Sequence, residues 1–198
     1  MDDICRGTAA ALEGGCRWVQ LRMKDADDSS VVEAASRLGA LCRAAGATFI
    51  LDDRVELVER TGAHGVHLGK SDMPVDKAIA ALGPGYIVGA TANTFDDIRA
   101  AAALGAHYIG LGPLRFTTTK KNLSPVLGYR GYTDICASCR RAGITLPVVA
   151  IGGITDADIE PLALAGVNGV AVSGSIARDH DPAQATAVFI NEIRKHII

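Results

Sequence analysis

A short polar stretch in the second half of the chain carries several groups that could bind an anion. The sequence GPLRFTTTKK, residues 112–121, ends with three threonine hydroxyls and two lysine ammonium groups, Thr117 to Lys121. Such donors favour phosphate oxygens, and Lys120 is a mobile point charge suited to them. A solvated basic loop is the alternative. Because the segment from Phe116 to Leu127 is long and polar, we also predict that it forms a lid.

Charged residues spaced by two end the apolar run that contains Trp18. In VQLRMK, Gln20, Arg22 and Lys24 would all point the same way from an extended chain. Two cations on the same side of a strand end repel each other, and an anion bound between them removes that cost. The spacing therefore predicts an anion site, with a solvated strand end as the alternative.

Acidic residues follow the next two apolar runs. LDDR provides Asp52 and Asp53, and VHLGKSDMP provides Asp72. Mg²⁺ is usually held by one or two carboxylates together with phosphate oxygens, so acids close to lysine and arginine predict a magnesium site. As the alternative, Asp53 would begin a helix as its N-cap, and Asp72 would cap the turn before Pro74.

Glycines end the last two apolar runs. AIGGI contains Gly152 and Gly153, and VSGSI contains Ser173 and Gly174 before a helix. Backbone N–H groups at such turns bind anions, and barrels often hold a phosphate after their last strands. Each motif taken alone is also typical of an ordinary turn. With the cationic residues they predict two anion sites, and hence two phosphorylated small-molecule substrates joined by one reaction.

Alternating strands and helices must position these residues. Seven Val- and Ile-rich runs predict strands: RWVQLR, ATFILDD, GVHLG, YIVGAT, HYIGLG, PVVAIGG and GVAVSG. Helical segments lie between them, for example 29–45, which starts with two serines, and 94–104, which opens with a capping motif. Continuous apolar strands joined by helices are typical of a parallel sheet covered on both faces.

This alternation favours a single α/β domain over residues 1–198, a TIM (β/α)₈ barrel whose first strand is absent from this chain. We predict this because residues 3–14 predict a helix with no strand before it. Either the barrel lacks its first strand, or the chain begins inside a longer natural protein. An open doubly wound sheet is the alternative. In a barrel the carboxyl ends of all strands meet at one mouth, which would bring the candidate residues together.

Composition and charge exclude several functional classes. The net charge of −2 provides no overall field for nucleic acid or an anionic membrane. No apolar run is long enough to cross a membrane, and the acidic start is unlike a signal peptide. Five irregularly spaced cysteines predict reduced thiols and a cytoplasmic location, with CASC at 136–139 serving packing. The sequence allows a homo-oligomer but does not define the oligomeric state.

The quoted motifs resemble those of the thiamine phosphate synthase family. VQLRMK, LDDR, GVHLGKSDMP, GATANT, GPLRFTTTKK, AIGGI and GVAVSGSI occur in the family's order and cover nearly the whole chain. The resemblance implies that 4-amino-2-methyl-5-hydroxymethylpyrimidine diphosphate loses pyrophosphate with the help of Mg²⁺. The nitrogen of hydroxyethylthiazole phosphate would then take the pyrimidine methylene, which gives thiamine phosphate.

The resemblance also implies a role for individual residues. One group would hold the diphosphate: Gln20, Arg22, Lys24, Thr91 and Lys120. A second group would bind the thiazole phosphate: Thr117, Thr119, Gly153, Ser173 and Gly174. Asp53 and Asp72 would hold Mg²⁺. Three cations, Arg22, Lys24 and Lys120, would act catalytically by stabilising the negative charge that gathers on the leaving pyrophosphate.

Two positions depart from the family pattern. The usual Asn-Asp reads Asp52-Asp53 here, so a substrate-binding position carries a carboxylate that would change metal affinity or pyrimidine contact. The usual Pro-Thr reads Phe116-Thr117.

Two other functions stay open. A thiazole tautomerase of the same superfamily would need no diphosphate site, which the acids and lysines argue against. A non-catalytic regulator would only bind thiamine phosphates.

Overall fold

A computed structural model describes residues 2–116 and 125–197 of the chain. The segment 117–124 lies outside the described residues. It contains Thr117, Thr119 and Lys120, together with most of the predicted lid. Their predicted roles therefore stay predictions.

Strands and helices alternate along the described chain in the predicted order. The strands are β1 (Trp18–Leu21), β2 (Thr48–Asp52), β3 (Gly65–Leu68), β4 (Ile87–Ala92), β5 (Tyr108–Leu111), β6 (Val148–Ile151) and β7 (Gly169–Ala171). The helices are α1 (Asp2–Glu13), α2 (Asp28–Ala44), α3 (Val58–Thr61), α4 (Val75–Leu82), α5 (Phe95–Ala103), α6 (Gly128–Arg141), α7 (Ile159–Ala165), α8 (Gly174–Ala177) and α9 (Pro182–His196). Short 3₁₀ turns at Val55–Leu57 and Asp156–Asp158 lead into α3 and α7.

The strands form one parallel sheet in which neighbours in sequence are neighbours in space. The order is β1-β2-β3-β4-β5-β6-β7, and Trp18 of β1, for example, pairs with Thr48 of β2. A doubly wound sheet would reverse its strand order partway through, so that alternative is wrong. In the part of the chain that the structure describes, β1 and β7 are the two edges of the sheet. The predicted TIM-like fold, with seven strands, is confirmed.

A contact between β1 and β5 shows that the sheet curls. Nε2 of Gln20 donates a hydrogen bond of 2.8 Å to the hydroxyl of Tyr108, and the rings of Trp18 and Tyr108 meet edge to face with centroids 5.4 Å apart. In a flat sheet, strands four positions apart would be separated by about 19 Å. The sheet therefore closes most of a barrel, and its inner face surrounds these side chains.

The two faces of the sheet have different compositions. The outer face packs Phe49, Leu51 and their equivalents on other strands against the helices, in one hydrophobic cluster. The inner face carries polar side chains and glycines, and the glycines make room there for large rings. A Cβ at Gly89 would collide with the ring of Tyr108, and one at Gly110 would lie 2.9 Å from Cε1 of His67. The predicted strands are thus apolar mainly toward the helices.

Side-chain capping explains the starts of α2, α5 and α9. Thr94 caps α5 with a full capping box through Asp97, as the sequence predicts. The predicted start of α2 at Ser29 is wrong by one residue, because the side chain of Asp27 accepts from the Ser30 N–H at 2.9 Å and begins the helix. A carboxylate caps a helix at least as well as serine does, so the aspartate before the serines takes the cap position.

The cysteines occupy different environments but all are free thiols. Cys136 and Cys139 are buried in α6, where burial raises the pKa of both thiols. Buried neutral thiols of this kind behave as small hydrophobic groups, in agreement with the packing interpretation. Among helices in the described ranges, we find none that combines the length and apolar character needed to cross a membrane.

Candidate active site

Loops after the strands link to one another around the carboxyl end of the sheet. Several contacts join loops that are neighbours or next neighbours: Arg54 with Ala26, Lys24 with Asp72, Lys70 with Asp97, Asn93 with Gly112, Arg115 with Gly153, and Ser175 with Ile154. Together they span the turns that follow β1 to β7. The candidate residues of the described chain therefore lie on a single rim, as the barrel prediction requires.

Two cation–acid pairs occupy the rim above β1, β2 and β3. Nε of Arg22 lies 3.8 Å from Oδ2 of Asp53, and Nζ of Lys24 lies 3.9 Å from Oδ1 of Asp72. The acids are only 15% and 12% exposed, whereas the cations are 33% and 48% exposed. Largely buried acids beside half-exposed cations could hold a metal ion and an anion together.

The backbone and charge of Asp53 are unusual. Its φ of 69° makes it the one non-glycine residue with positive φ in the described ranges, a conformation that costs about 1–2 kcal/mol and that clusters at functional sites. Burial, followed by the neighbouring carboxyl of Asp72, raises the pKa of Asp53, and Arg22 and Lys24 only partly oppose this. Its Oδ2 atom is buried and accepts no hydrogen bond from the described residues.

These observations fit a magnesium ion. Two adjacent carboxylates repel each other unless a cation lies between them, and Mg²⁺ commonly takes one or two protein carboxylates plus phosphate oxygens. In the described part of the chain, no group of three or more His, Cys, Asp or Glu residues forms a complete metal site. A substrate phosphate would therefore have to supply further ligands.

The capping role offered as the alternative is wrong for Asp53 but holds for Asp72. Asp53 caps no helix, because the residue preceding the 3₁₀ turn at Val55–Leu57 is Arg54, which makes no capping hydrogen bond. Asp72 does stabilise a turn, since its Oδ2 accepts from the Gly69 N–H at 2.7 Å. Its other oxygen faces Lys24, so the turn role and a ligand role are compatible.

Arg54 is a rim residue that the sequence analysis missed. Its Nη2 donates to the carbonyl oxygens of Ala26 at 2.7 Å and Lys24 at 3.4 Å, while Nη1 pairs with Asp28. The side chain therefore ties the loop after β1, which carries Lys24, to the loop after β2. Its position directly after LDD was the one local hint of a role at the rim. Its partners could not be predicted, because they lie 26 or more positions away.

A hydrogen-bonded chain crosses the barrel interior below the rim. Gln20 donates to the hydroxyl of Tyr108, which lies 3.0 Å from Nδ1 of His67. Nε2 of His67 lies 2.9 Å from Oγ1 of Thr91. Because the Gln20 amide nitrogen can only donate, the Tyr108 hydroxyl is left to donate to Nδ1, and Nε2 then carries the proton toward Thr91. The Thr91 hydroxyl remains able to donate to a ligand.

His67 and Tyr108 were not among the predicted site residues. Burial, with a smaller effect of Asp52, raises the pKa of Tyr108, so the phenol stays a neutral donor. His67 points into the barrel, and Nδ1 of His64 accepts from the Phe49 N–H on the neighbouring strand. The two histidines therefore face different surroundings. Asp52, the last residue of β2, is half-buried close to this chain.

The loops after β6 and β7 form the other part of the rim. Gly152 and Gly153 both have positive φ, 91° and 71°. Ser173 precedes α8 and Gly174 begins it. Oγ of Ser175 donates to the Ile154 carbonyl at 2.6 Å, which brings the Gly153 turn beside the start of α8. The structure thus places the three residues predicted to bind a phosphate in adjacent turns.

Arg115 and Asp158 are a second pair that the sequence analysis missed. The guanidinium donates to both carboxylate oxygens of Asp158, at 2.5 and 2.7 Å, and to the carbonyl of Gly153 at 2.5 Å. Only Asp158 carried a local signal, as the fourth residue of the Thr-x-x-Asp capping motif that starts at Thr155. Its pairing with a residue 43 positions earlier has no local signature.

A curled βα barrel with acids, cations and glycine turns around one mouth is typical of enzymes that act on phosphorylated small molecules. The model of the thiamine monophosphate synthase family matches residues 1–176. Thiamine-phosphate synthase of Bacteroides fragilis is 54% identical over 181 residues, which cover 91% of this chain and 89% of that protein. The corresponding protein of Phocaeicola vulgatus is 55% identical, with coverages of 91% and 87%. The chain therefore belongs to the thiamine monophosphate synthase family.

A solved structure agrees with this assignment. Thiamine phosphate pyrophosphorylase from Pyrococcus furiosus superposes with a TM-score of 0.87 at 31% identity, and the match covers 98% of this chain and 91% of that one. The predicted family is thus confirmed, as are the predicted class, a transferase of the thiamine phosphate synthase type, and its place in thiamine biosynthesis.

Proposed function

We propose that this chain couples 4-amino-2-methyl-5-hydroxymethylpyrimidine diphosphate to hydroxyethylthiazole phosphate, releasing pyrophosphate and forming thiamine phosphate. The observation that carries this proposal is the pairing of Arg22 with Asp53 and of Lys24 with Asp72 on one rim. Buried acids and half-exposed cations in that order suit a diphosphate with its metal ion. The turns at Gly153 and Ser173 supply a separate place for the phosphate of the second substrate.

Mg²⁺ would be held by Asp53 and Asp72, and when bound it would neutralise charge on the diphosphate oxygens. Arg22 and Lys24 lie beside these acids and would stabilise the negative charge that grows on pyrophosphate as the carbon–oxygen bond breaks. Lys120, from the segment outside the described residues, is assigned the same role. Thr91, held by His67, would donate its hydroxyl hydrogen to the diphosphate.

The chemistry needs no protein nucleophile. The aminopyrimidine can push electron density toward its methylene as pyrophosphate leaves, so we propose a dissociative path through a cation-like pyrimidine. The neutral thiazole nitrogen then attacks the methylene carbon directly. The remaining task of the protein is to hold both substrates in line, a contribution that can reach several kcal/mol. A cytoplasmic location, suited to five free thiols, belongs to this proposal.

The direct test mixes both substrates and follows pyrophosphate release with and without Mg²⁺. The proposal expects release only when all three components are present. A tautomerase would convert the thiazole substrate alone, and a binding regulator would release no pyrophosphate, so either result would replace the proposal. Asp72→Asn should lower the Mg²⁺-dependent rate by about 100-fold or more. Asp76→Asn, which removes an exposed carboxylate on α4, is the matched control.

A further inference from the structure

One buried carboxylate joins three segments of the rim. Asp158 is 2% exposed and accepts from both terminal nitrogens of Arg115, from the hydroxyl of Tyr129, and from Thr155. The Thr155 backbone N–H and hydroxyl contribute bonds of 2.7 and 2.9 Å. These partners come from the loop after β5, the first turn of α6 and the loop after β6. A carboxylate with that many donors is fixed in position and ionised.

Arg115 transmits this anchoring to the glycine turn. Besides Asp158, its Nη1 donates to the Gly153 carbonyl at 2.5 Å, and its own N–H donates to the Gly152 carbonyl at 3.2 Å. Its aliphatic stem lies against Gly153, where an added Cβ would come within 2.5 Å of Cγ. Both carbonyls of the turn are therefore turned toward the β5 loop. A peptide unit whose carbonyl is held on one side presents its N–H to the other.

We propose that Arg115 is a positioning residue for the phosphate pocket: anchored on Asp158, it holds the Gly152–Gly153 backbone in the conformation that receives the phosphate of the second substrate. This inference rests on the proposed function for the identity of that substrate. It differs from direct phosphate binding, because both terminal nitrogens of Arg115 are already engaged by Asp158. Within the described ranges, Arg115 is the side chain that bonds both to the glycine turn and to the buried acid.

The experiment compares Arg115→Gln, Asp158→Asn and Tyr129→Phe with the parent chain. Rates are measured with hydroxyethylthiazole phosphate and with the same thiazole lacking its phosphate. For Arg115→Gln and Asp158→Asn we expect KM for the phosphorylated thiazole to rise by about tenfold or more, the loss expected for a charge-assisted hydrogen bond. The KM for the pyrimidine diphosphate and the rate with the unphosphorylated thiazole should stay close to those of the parent. Tyr129→Phe, which leaves the Arg115–Asp158 pair intact, should have a smaller effect.

The matched control is Arg130→Gln, because Arg130 is 95% exposed on α6 and, among the described residues, pairs with the surface carboxylate of Asp134. Inorganic phosphate is also tested as a competitor of the phosphorylated thiazole. Its affinity, measured by thermal shift, gives a second readout that needs no substrate turnover. Its affinity should fall in Arg115→Gln and in Asp158→Asn alike. If Asp158→Asn instead binds phosphate more tightly, Arg115 is a direct ligand freed from its partner, and the positioning role is wrong.

Unchanged discrimination between the two thiazoles in Arg115→Gln would also overturn the inference. An equal loss toward both thiazoles and the diphosphate would indicate general unfolding of the rim and would overturn it as well. Failure of the proposed function is a separate outcome, since it would appear as absent pyrophosphate release in the parent chain. In that case the phosphate affinities still test the role of Arg115.

Discussion

Nε of Arg22 lies 3.8 Å from Oδ2 of Asp53, across the ends of the neighbouring strands β1 and β2. This distance joins two opposite charges without a hydrogen bond between them. The two groups therefore do not satisfy each other's hydrogen-bonding capacity. Lys24 and Asp72 show the same long separation, 3.9 Å, and the proposed diphosphate and metal site rests on this repetition.

Replacing Asp53 by asparagine should separate stability from activity. Asparagine tolerates the positive φ of this position and carries no charge to repel Asp72. We expect the free energy of unfolding without Mg²⁺ to rise by about 1 kcal/mol, as at other strained functional sites. The Mg²⁺-dependent rate should fall by about 100-fold or more. Urea denaturation and initial rates, with Asp76→Asn as control, check both effects, and a less stable but active variant would contradict the assignment.

Arg54 should influence the diphosphate side of the site alone. Arg54→Gln removes the bonds to the carbonyls of Ala26 and Lys24 and frees the loop that carries the Lys24 ammonium group. We expect KM for the pyrimidine diphosphate to rise by about tenfold, with KM for the thiazole phosphate unchanged. Steady-state kinetics with each substrate varied in turn measure this. Arg99→Gln on exposed α5 is the control, and an equal rise in both KM values would point to a wider disturbance.

The hydrogen-bonded chain across the barrel predicts that removing the Tyr108 hydroxyl lowers the free energy of unfolding. Tyr108→Phe preserves the ring contact with Trp18 but leaves Gln20 and Nδ1 of His67 without their shared partner. Unsatisfied buried polar groups cost about 1–3 kcal/mol, so the free energy of unfolding should fall by that amount. Urea denaturation measures it. Tyr86→Phe is the control, because the Tyr86 hydroxyl makes no hydrogen bond with described residues, and an equal loss there would remove support for the chain.

Local features made much of the fold predictable. The strands and the caps at Thr94 and Thr155 depend on residues within a few positions of each other, so periodicity and capping motifs are sufficient to find them. The convergence of Arg22 and Asp53 followed from a general property of parallel barrels, whose strand ends meet at one mouth. No knowledge of individual contacts was required for either inference.

Contacts between distant positions were beyond the reach of the sequence. Gln20 and Tyr108 are 88 positions apart, and Arg115 and Asp158 are 43 apart. Such partners are chosen by the curl of the sheet and by the room that Gly89 leaves for a ring, which no local pattern specifies. The strained backbone of Asp53 was equally invisible, since asparagine or glycine would be the usual signal for positive φ.

The Asp158 network predicts a pH-dependent contribution to stability. Burial alone would raise the pKa of Asp158, but hydrogen bonds from Arg115, Tyr129 and Thr155 outweigh it and hold that pKa well below its usual range. A carboxyl group with a depressed folded-state pKa stabilises the protein above its unfolded pKa, near 4, and loses this contribution as the pH falls toward the folded value. The stabilisation is therefore complete at neutral pH.

Asp158→Asn should accordingly lower the free energy of unfolding by about 2 kcal/mol at pH 7, a value reduced because Arg115 is 43% exposed. The difference between the variant and the parent should shrink steadily below about pH 4, since the unfolded parent then binds a proton at Asp158 while the folded parent still resists protonation. Urea denaturation between about pH 7 and about pH 2.5, a range that includes the ordinary Asp pKa near 4, measures the difference. Asp134→Asn, which removes an exposed partner of Arg130, should show almost no effect at either end. The difference between Asp158→Asn and the parent could instead stay constant across this range. The variant would then lose stability because the amide packs poorly, and the Arg115–Asp158 charge pair would contribute little to stability.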